Sequence, residues 1–280
     1  MTNSNPLAAH FRQPAVFLKL PSGGKYWIPN SINLPATGEL GVMPMTAKDE
    51  ILLRTPDALM NGQGIVSVIQ SCIPQILNAW AAPTIDIDAI LIAIRIATYG
   101  ENMDIDSECP NCKAENRNAY NISTLLMSQR APNYDDTLHV DGLTIRFKPL
   151  NYMQSTKNNI IQFEEQRLIQ AINNEDLDID TRKAQFDIHL SKIIEANNNI
   201  IAQSTVSITT EDGTVVTNPE HIREFYENAN NSIIRAVQDK LKHYADTVAL
   251  PKPKIQCEEC NTEYSVAVTF DYANFFEPLS

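Results

Sequence analysis

Between residues 64 and 80, Ile65, Val68, Ile69, Cys72, Ile76 and Trp80 recur at helical spacing, so this stretch predicts a helix that Pro74 should kink or split. Cys72 lies on that apolar stripe and is expected to be a buried core residue. The run over 88–100 is ambiguous in period, because its isoleucines alternate as in a strand. Its length, its acidic start and its closing Gly100 favour a helix buried on most sides, in which Arg95 needs a carboxylate partner or an exit to solvent. Upstream, residues 16–27 read as an apolar strand, a Pro-Ser-Gly-Gly turn and a second strand, and residues 38–45 as a further short strand. Thr46 and Asp49 then form the signature of a capping box that opens a helix.

Beyond residue 100 the pattern changes to short polar strands, and later to long helices. Residues 104–108 and 114–122 flank one cysteine pair; residues 253–256 and the alternating run 264–270 flank another. Between them, 138–150 predicts a hairpin about Asp141-Gly142, followed by helices over 151–173 and 180–203. Phe186, Leu190, Ile193, Ile194, Asn197 and Ile201 mark the second helix, and such a stripe is expected to face a core, with a partner-binding groove as the alternative. A second hairpin is expected around Glu211-Asp212-Gly213. Asn218 and Pro219 then signal a helix start, with Ile222, Phe225, Ala229, Ile233, Val237 and Tyr244 continuing the stripe toward Pro251. The expected fold class is therefore α+β. It comprises a small N-terminal β/α domain over 1–100, the halves of a split ribbon over 101–124 and 251–280, and a mainly helical insertion with short hairpins over 125–250.

The cysteines carry the candidate chemistry. Cys109-Pro110-Asn111-Cys112 and Cys257-Glu258-Glu259-Cys260 each have the C-x-x-C spacing of a metal-binding knuckle. Together they supply the four thiolates of a closed tetrahedral Zn2+ site. Such a shell has no open position for water, which predicts a structural zinc rather than a catalytic one. A redox pair at Cys109 and Cys112 is the competing reading, but that pair follows an acidic strand rather than opening a helix that would lower a thiol pKa. Lys113 and Asn261 stand where ribbons often carry glycine. Asn tolerates positive φ more readily than Lys, so a relaxed first knuckle is expected.

Other chemistries find little support. Gly23-Gly24-Lys25 lacks the spaced glycine and the following Ser or Thr of a phosphate loop, no H-E-x-x-H occurs, and the H-x-E element of the zinc deaminases is missing. Net charge is −12, and around the knuckles Glu101, Asp104, Asp106, Glu108, Glu115, Glu258, Glu259 and Glu263 outnumber Lys113, Arg117, Lys252 and Lys254. That balance argues against a nucleic-acid partner and for protein partners. No apolar run has the length of a membrane span, and the first residues lack the basic and apolar regions of a signal peptide, so a cytosolic birthplace is expected.

Several segments stand in a recognisable order: Leu20-Pro21-Ser22-Gly23-Gly24-Lys25-Tyr26, then Met43 to Ile51, then Leu91 to Gly100, the two knuckles, and Phe147-Lys148-Pro149-Leu150. This order resembles the baseplate hub and hub-assembly proteins of T-even-like contractile-tailed bacteriophages. The resemblance implies a non-enzymatic hub protein or hub-assembly chaperone that contacts other tail baseplate proteins, in the host cytoplasm during assembly and in the virion if retained. It also implies helix over 88–99 and brings no catalytic residues. The other class of function open to the sequence is a zinc-ribbon regulator or adaptor that binds nucleic acid or transcription machinery.

Overall fold

In a computed structural model describing residues 7, 10–55, 61–174, 178–266 and 276, strand β1 (Val16–Lys19) pairs antiparallel with β2 (Glu39–Val42). The expected second strand at 26–27 does not form. Tyr26 takes φ 68°, outside the strand region, and Trp27 is turned inward so that its indole N–H donates to Asp86 at 2.8 Å. Asp86 also accepts from the Ser22 amide at 2.8 Å and the Ser22 hydroxyl at 2.6 Å, and clamps the whole Pro-Ser-Gly-Gly turn. Gly23 and Gly24 have φ of 63° and 82°, values that any larger residue would adopt only under strain.

Helix α1 (Ala47–Leu53) opens with the expected capping box, Asp49 accepting from the Thr46 amide at 2.8 Å. Arg12 reaches the same carboxylate at 3.4 Å and donates to the carbonyls of Pro44 and Ser71. Helix α2 (Gln63–Cys72) does not continue to Trp80. Ile73, the residue before Pro74, takes φ −129° and ψ 82°, the extended conformation that a following proline imposes, and a short 3-10 turn (Ala79–Ala81) comes after it. Cys72 is fully buried, and burial pushes its thiol up to about 12.

Helix α3 (Thr84–Tyr99) is helical throughout and ends at Gly100, whose φ is 86° and whose amide donates to the Ile96 carbonyl. Ile90, Leu91, Ile92 and Ile94 are inaccessible to solvent, together with Leu40 and Val42 of β2 and Ile65 and Ile69 of α2. Each such side chain contributes about 1.5–3 kcal/mol of burial, so this helix is the centre of the core. Arg95 is buried with them. Its guanidinium lies over the Tyr99 ring at 4.8 Å, and the Tyr99 hydroxyl donates to Glu50 at 3.0 Å. Strands β3 (Asn102–Glu108) and β4 (Glu115–Asn121) form an unbroken antiparallel hairpin, followed by α4 (Ser123–Ser128), a helix the sequence pattern did not suggest.

Contacts divide the chain into two compact units, Met1–Arg130 with Ala249–Ser280, and Ala131–Val248. In the second unit β5 (Leu138–Val140) and β6 (Leu143–Phe147) make the expected hairpin, with Asp141 and Gly142 at φ 46° and 75°. Helices α5 (Tyr152–Asn174) and α6 (Ile179–Ser204) follow, then β7 (Thr205–Thr209) and β8 (Val215–Val216), which complete a sheet of order β5-β6-β7-β8. Asn151 and Gln154 cap α5 reciprocally, each side chain accepting from the other's amide. The expected single helix after Asn218 is two, α7 (Pro219–Asn228) and α8 (Asn231–Val248). Ala229 is extended at ψ 151°, and the Asn230 carbonyl accepts from the amides of Ile233 and Ile234. The chain then returns to the first unit with β9 (Lys254–Gln256) and β10 (Glu263–Ser265), which pair antiparallel. The remainder of the alternating run expected over 264–270 lies largely outside the described residues. Small antiparallel sheets and eight helices among the described residues make the fold α+β.

The pairing of α5 with α6 is more polar than expected. Their facing residues are hydrophilic: Asn158 accepts from Asn199 and donates to Gln203, Gln162 donates to Asn197, and Glu165 meets His189 at 2.5 Å and Lys192 at 3.1 Å. Phe186, Leu190 and Ile194, expected to face a core, are instead 37%, 38% and 52% exposed, whereas Ile201 at the end of the same stripe is buried as expected.

Two predictions follow from these contacts. Replacing Asp86 by Ala strands three buried donors; stability should fall by about 2–4 kcal/mol, read as a lower urea midpoint of tryptophan fluorescence. An unchanged midpoint would rule out the clamp. In the second unit, the hydrogen bond from His189 and then the charge of Lys192 hold Glu165 below its ordinary carboxylate range. A depressed carboxyl stabilises the fold above its unfolded-state pKa and loses that contribution as pH falls through the folded value. Hydrogen-exchange protection in α5 and α6, taken relative to the intrinsic exchange rate at each pH, should therefore fall on acidification below the ordinary glutamate range, and less so in Glu165→Gln.

Candidate metal centre

The two hairpins of the first unit end in the cysteine knuckles, and the backbone builds both in the same way. Cys109 N–H donates to Ala114 O and Lys113 N–H to Cys109 O; Cys257 N–H donates to Thr262 O and Asn261 N–H to Cys257 O. Lys113 at φ 64° and Asn261 at φ 56° both take the left-handed turn that closes this loop. The relaxed first knuckle expected from Lys113 is therefore not found. The turn's hydrogen bonds outweigh the cost of roughly 1–2 kcal/mol for placing a Cβ in this region, and Lys113 Nζ meets Glu108 at 3.0 Å.

Side chains from the two halves interlock. Ser107 and Tyr264 hydroxyls lie 2.9 Å apart, and Asn116 accepts from the Glu258 amide at 3.0 Å while donating to Ala114 O. Asn111 donates to Thr262 Oγ1 at 3.2 Å and points at Cys260 Sγ at 3.7 Å. The sulfurs of Cys109, Cys112, Cys257 and Cys260 all lie within 4.8 Å of one another, with Cys109 and Cys260 at 3.6 Å and Cys112 and Cys257 at 3.5 Å. A tetrahedron with metal–sulfur bonds of about 2.3 Å has sulfur–sulfur edges of about 3.8 Å, so the cluster has the size and donor set of a four-thiolate zinc site. Cys109 and Cys257 are fully buried, Cys260 partly so, and Cys112 is exposed.

Electrostatics distinguish the sulfurs. The Thr262 hydroxyl and amide, with Asn111, pull Cys260 down to about 6. Backbone amides of Cys260 and Glu259 also lower Cys257, against its burial. For Cys112 the Ala114 amide acts in the same direction, but the facing thiols, Cys260 first among them, push it up to about 12. Sequence spacing found the four cysteines; it did not single out Asn111, Asn116 or Thr262. Their types, an amide or hydroxyl inside or beside each knuckle, were the available signal.

Three of the ribbon's cations pair with its own acids, Lys113 with Glu108, Arg117 with Asp104 and Lys254 with Glu263, which offsets their charge at the ribbon surface. A groove of about 670 Å³ in the second unit is lined by Ile161, Ser191, Lys192, Glu195, Arg223 and Glu227 among others. Its Ser191 hydroxyl donates to the Asp187 carbonyl of its own helix, which is not the contact of an activated nucleophile. No helix among the described residues is long and apolar enough to cross a membrane.

Fold and site together define an α+β protein whose four cysteines cluster like the paired knuckles of a zinc ribbon. Residues 14–277 match the family model described as T4 bacteriophage base plate protein, and the chain belongs to that family, whose role in the phage tail is structural. No curated protein and no solved structure matches it.

Substituting Lys113 by Gly removes the strained Cβ at the cost of an exposed ion pair. The first knuckle should gain on the order of 1 kcal/mol, whereas Lys113→Val should lose more than that. Thermal melting of the two variants against the parent checks the sign.

Proposed function

We propose that this protein is a non-enzymatic component of a contractile phage tail baseplate, either a hub protein or a hub-assembly chaperone, acting by contact with other baseplate proteins. In this reading Cys109, Cys112, Cys257 and Cys260 bind one structural Zn2+. The family match over almost the whole chain carries the baseplate role. The mutual proximity of four sulfurs supports the zinc. Four protein thiolates would fill a tetrahedral shell, so the metal supplies rigidity and no vacant position for a substrate.

A hub protein and an assembly chaperone differ in fate. A hub protein stays in the particle and is recovered from purified tails at fixed stoichiometry, whereas a chaperone is made in the host cytoplasm and is absent from finished tails. Mass spectrometry of purified particles separates the two; recovery in neither particles nor assembly intermediates contradicts both.

Metal analysis should give about one zinc per chain. Cys260→Ser should lower zinc retention and expose both ribbon halves to protease together, and unchanged cleavage near Cys109 in that variant would falsify a shared site. Binding should weaken as pH falls, because protons compete with zinc for the thiolates.

A further inference from the structure

We propose that Cys112 is the labile ligand of the cluster, the sulfur at which electrophiles attack first, and that Asn111 and Thr262 protect Cys260 from the same fate. The proposal rests on the zinc reading above and adds to it an order among the four thiolates. The two knuckles share one backbone pattern, so their positions correspond: Cys109 with Cys257, Asn111 with Glu259, Cys112 with Cys260, and Ala114 with Thr262. Inequivalence of the sulfurs must then come from side chains and exposure.

Two of those corresponding positions differ in the property that matters. The Thr262 hydroxyl lies 3.2 Å from Cys260 Sγ, where the first knuckle has only the Ala114 methyl. Asn111 crosses from the first knuckle to the second, its amide nitrogen 3.7 Å from Cys260 Sγ and 3.2 Å from Thr262 Oγ1. Its counterpart Glu259, when ionised, has no hydrogen to donate. Cys260 as a thiolate is thus held by a closed triangle in which Asn111 donates to both Thr262 and the sulfur, and Thr262 donates to the sulfur. Cys112 has the Ala114 amide and faces Cys257 at 3.5 Å. Among the described residues no hydroxyl or amide side chain donates to it.

Hydrogen bonds to a thiolate withdraw density from its lone pairs, and burial blocks approach; both lower its reactivity while it is bound to metal. Cys109 and Cys257 are shielded by burial and Cys260 by its two donors. Cys112 is exposed and has neither protection. With iodoacetamide, the Cys112 sulfur attacks the methylene carbon, a sulfur–carbon bond forms, the carbon–iodine bond breaks and iodide leaves. The resulting thioether is neutral and a poorer zinc ligand.

The test is limited alkylation of the full zinc-loaded chain with iodoacetamide, resolved by cysteine through peptide fragmentation, with zinc content measured on the same sample. Cys112 should carry roughly tenfold more label than Cys260 at early times. In Thr262→Val, which keeps the shape of the side chain, and in Asn111→Ala, labelling of Cys260 should rise roughly tenfold, while labelling of Cys112 changes little. A merely structural role for these residues would raise all four cysteines together. Even labelling of a zinc-loaded parent, or Cys260 reacting first, overturns the proposal. A zinc-free parent overturns the metal reading on which it stands.

Discussion

The first unit depends on the meeting of two chain segments that lie 145 to 151 residues apart. Closing a loop of that length costs on the order of 4–5 kcal/mol in chain entropy, beyond the constant cost of making any contact. Three protein contacts oppose that cost, at Ser107 and Tyr264, Asn116 and Glu258, and Asn111 and Thr262. At about 0.5–1.5 kcal/mol each they offset only part of it and at best approach it. A metal bound by four sulfurs supplies far more, which is the physical reason to expect one where the hydrogen bonds alone are so few.

The second unit follows a different principle. Its sheet and the rings of Tyr134, Phe147 and Tyr244 form an ordinary aromatic core, but the long helices α5 and α6 meet through asparagine, glutamine, glutamate and histidine. Polar contacts of this kind contribute modest net stability and fix register closely, since each donor must find one acceptor. Specific register matters for a protein that works by presenting surfaces.

What the sequence disclosed, and what it concealed, divides along the range of the interaction concerned. Capping at Thr46 and Asn218, the Asp141-Gly142 turn and the two knuckles are set by residues within a few positions of one another, and each was legible. The missing strand at 26–27 was not, because Trp27 is turned inward by Asp86, 59 residues away. Nor was the break at Ala229, since the apolar stripe runs through it without interruption. The stripe at Phe186, Leu190 and Ile194 misled for a related reason: periodicity reports a continuous face but not what lies opposite. In the site, spacing identified the ligands, whereas Asn111 and Thr262 gain their roles only when the two hairpins meet.

The separation of the knuckles also has a consequence in time. At about 5–20 residues per second of synthesis, the chain takes roughly 7–30 seconds to advance the 145 positions from Cys112 to Cys257. The strands β1 and β2 and helix α2, which pack on α3, are made before that interval begins and can condense early, and α4 follows soon after the first knuckle. Through the whole of it the first knuckle exists as half a site, able to offer two sulfurs but not four. The order of translation therefore makes completion of the ribbon wait until the entire second unit has been made.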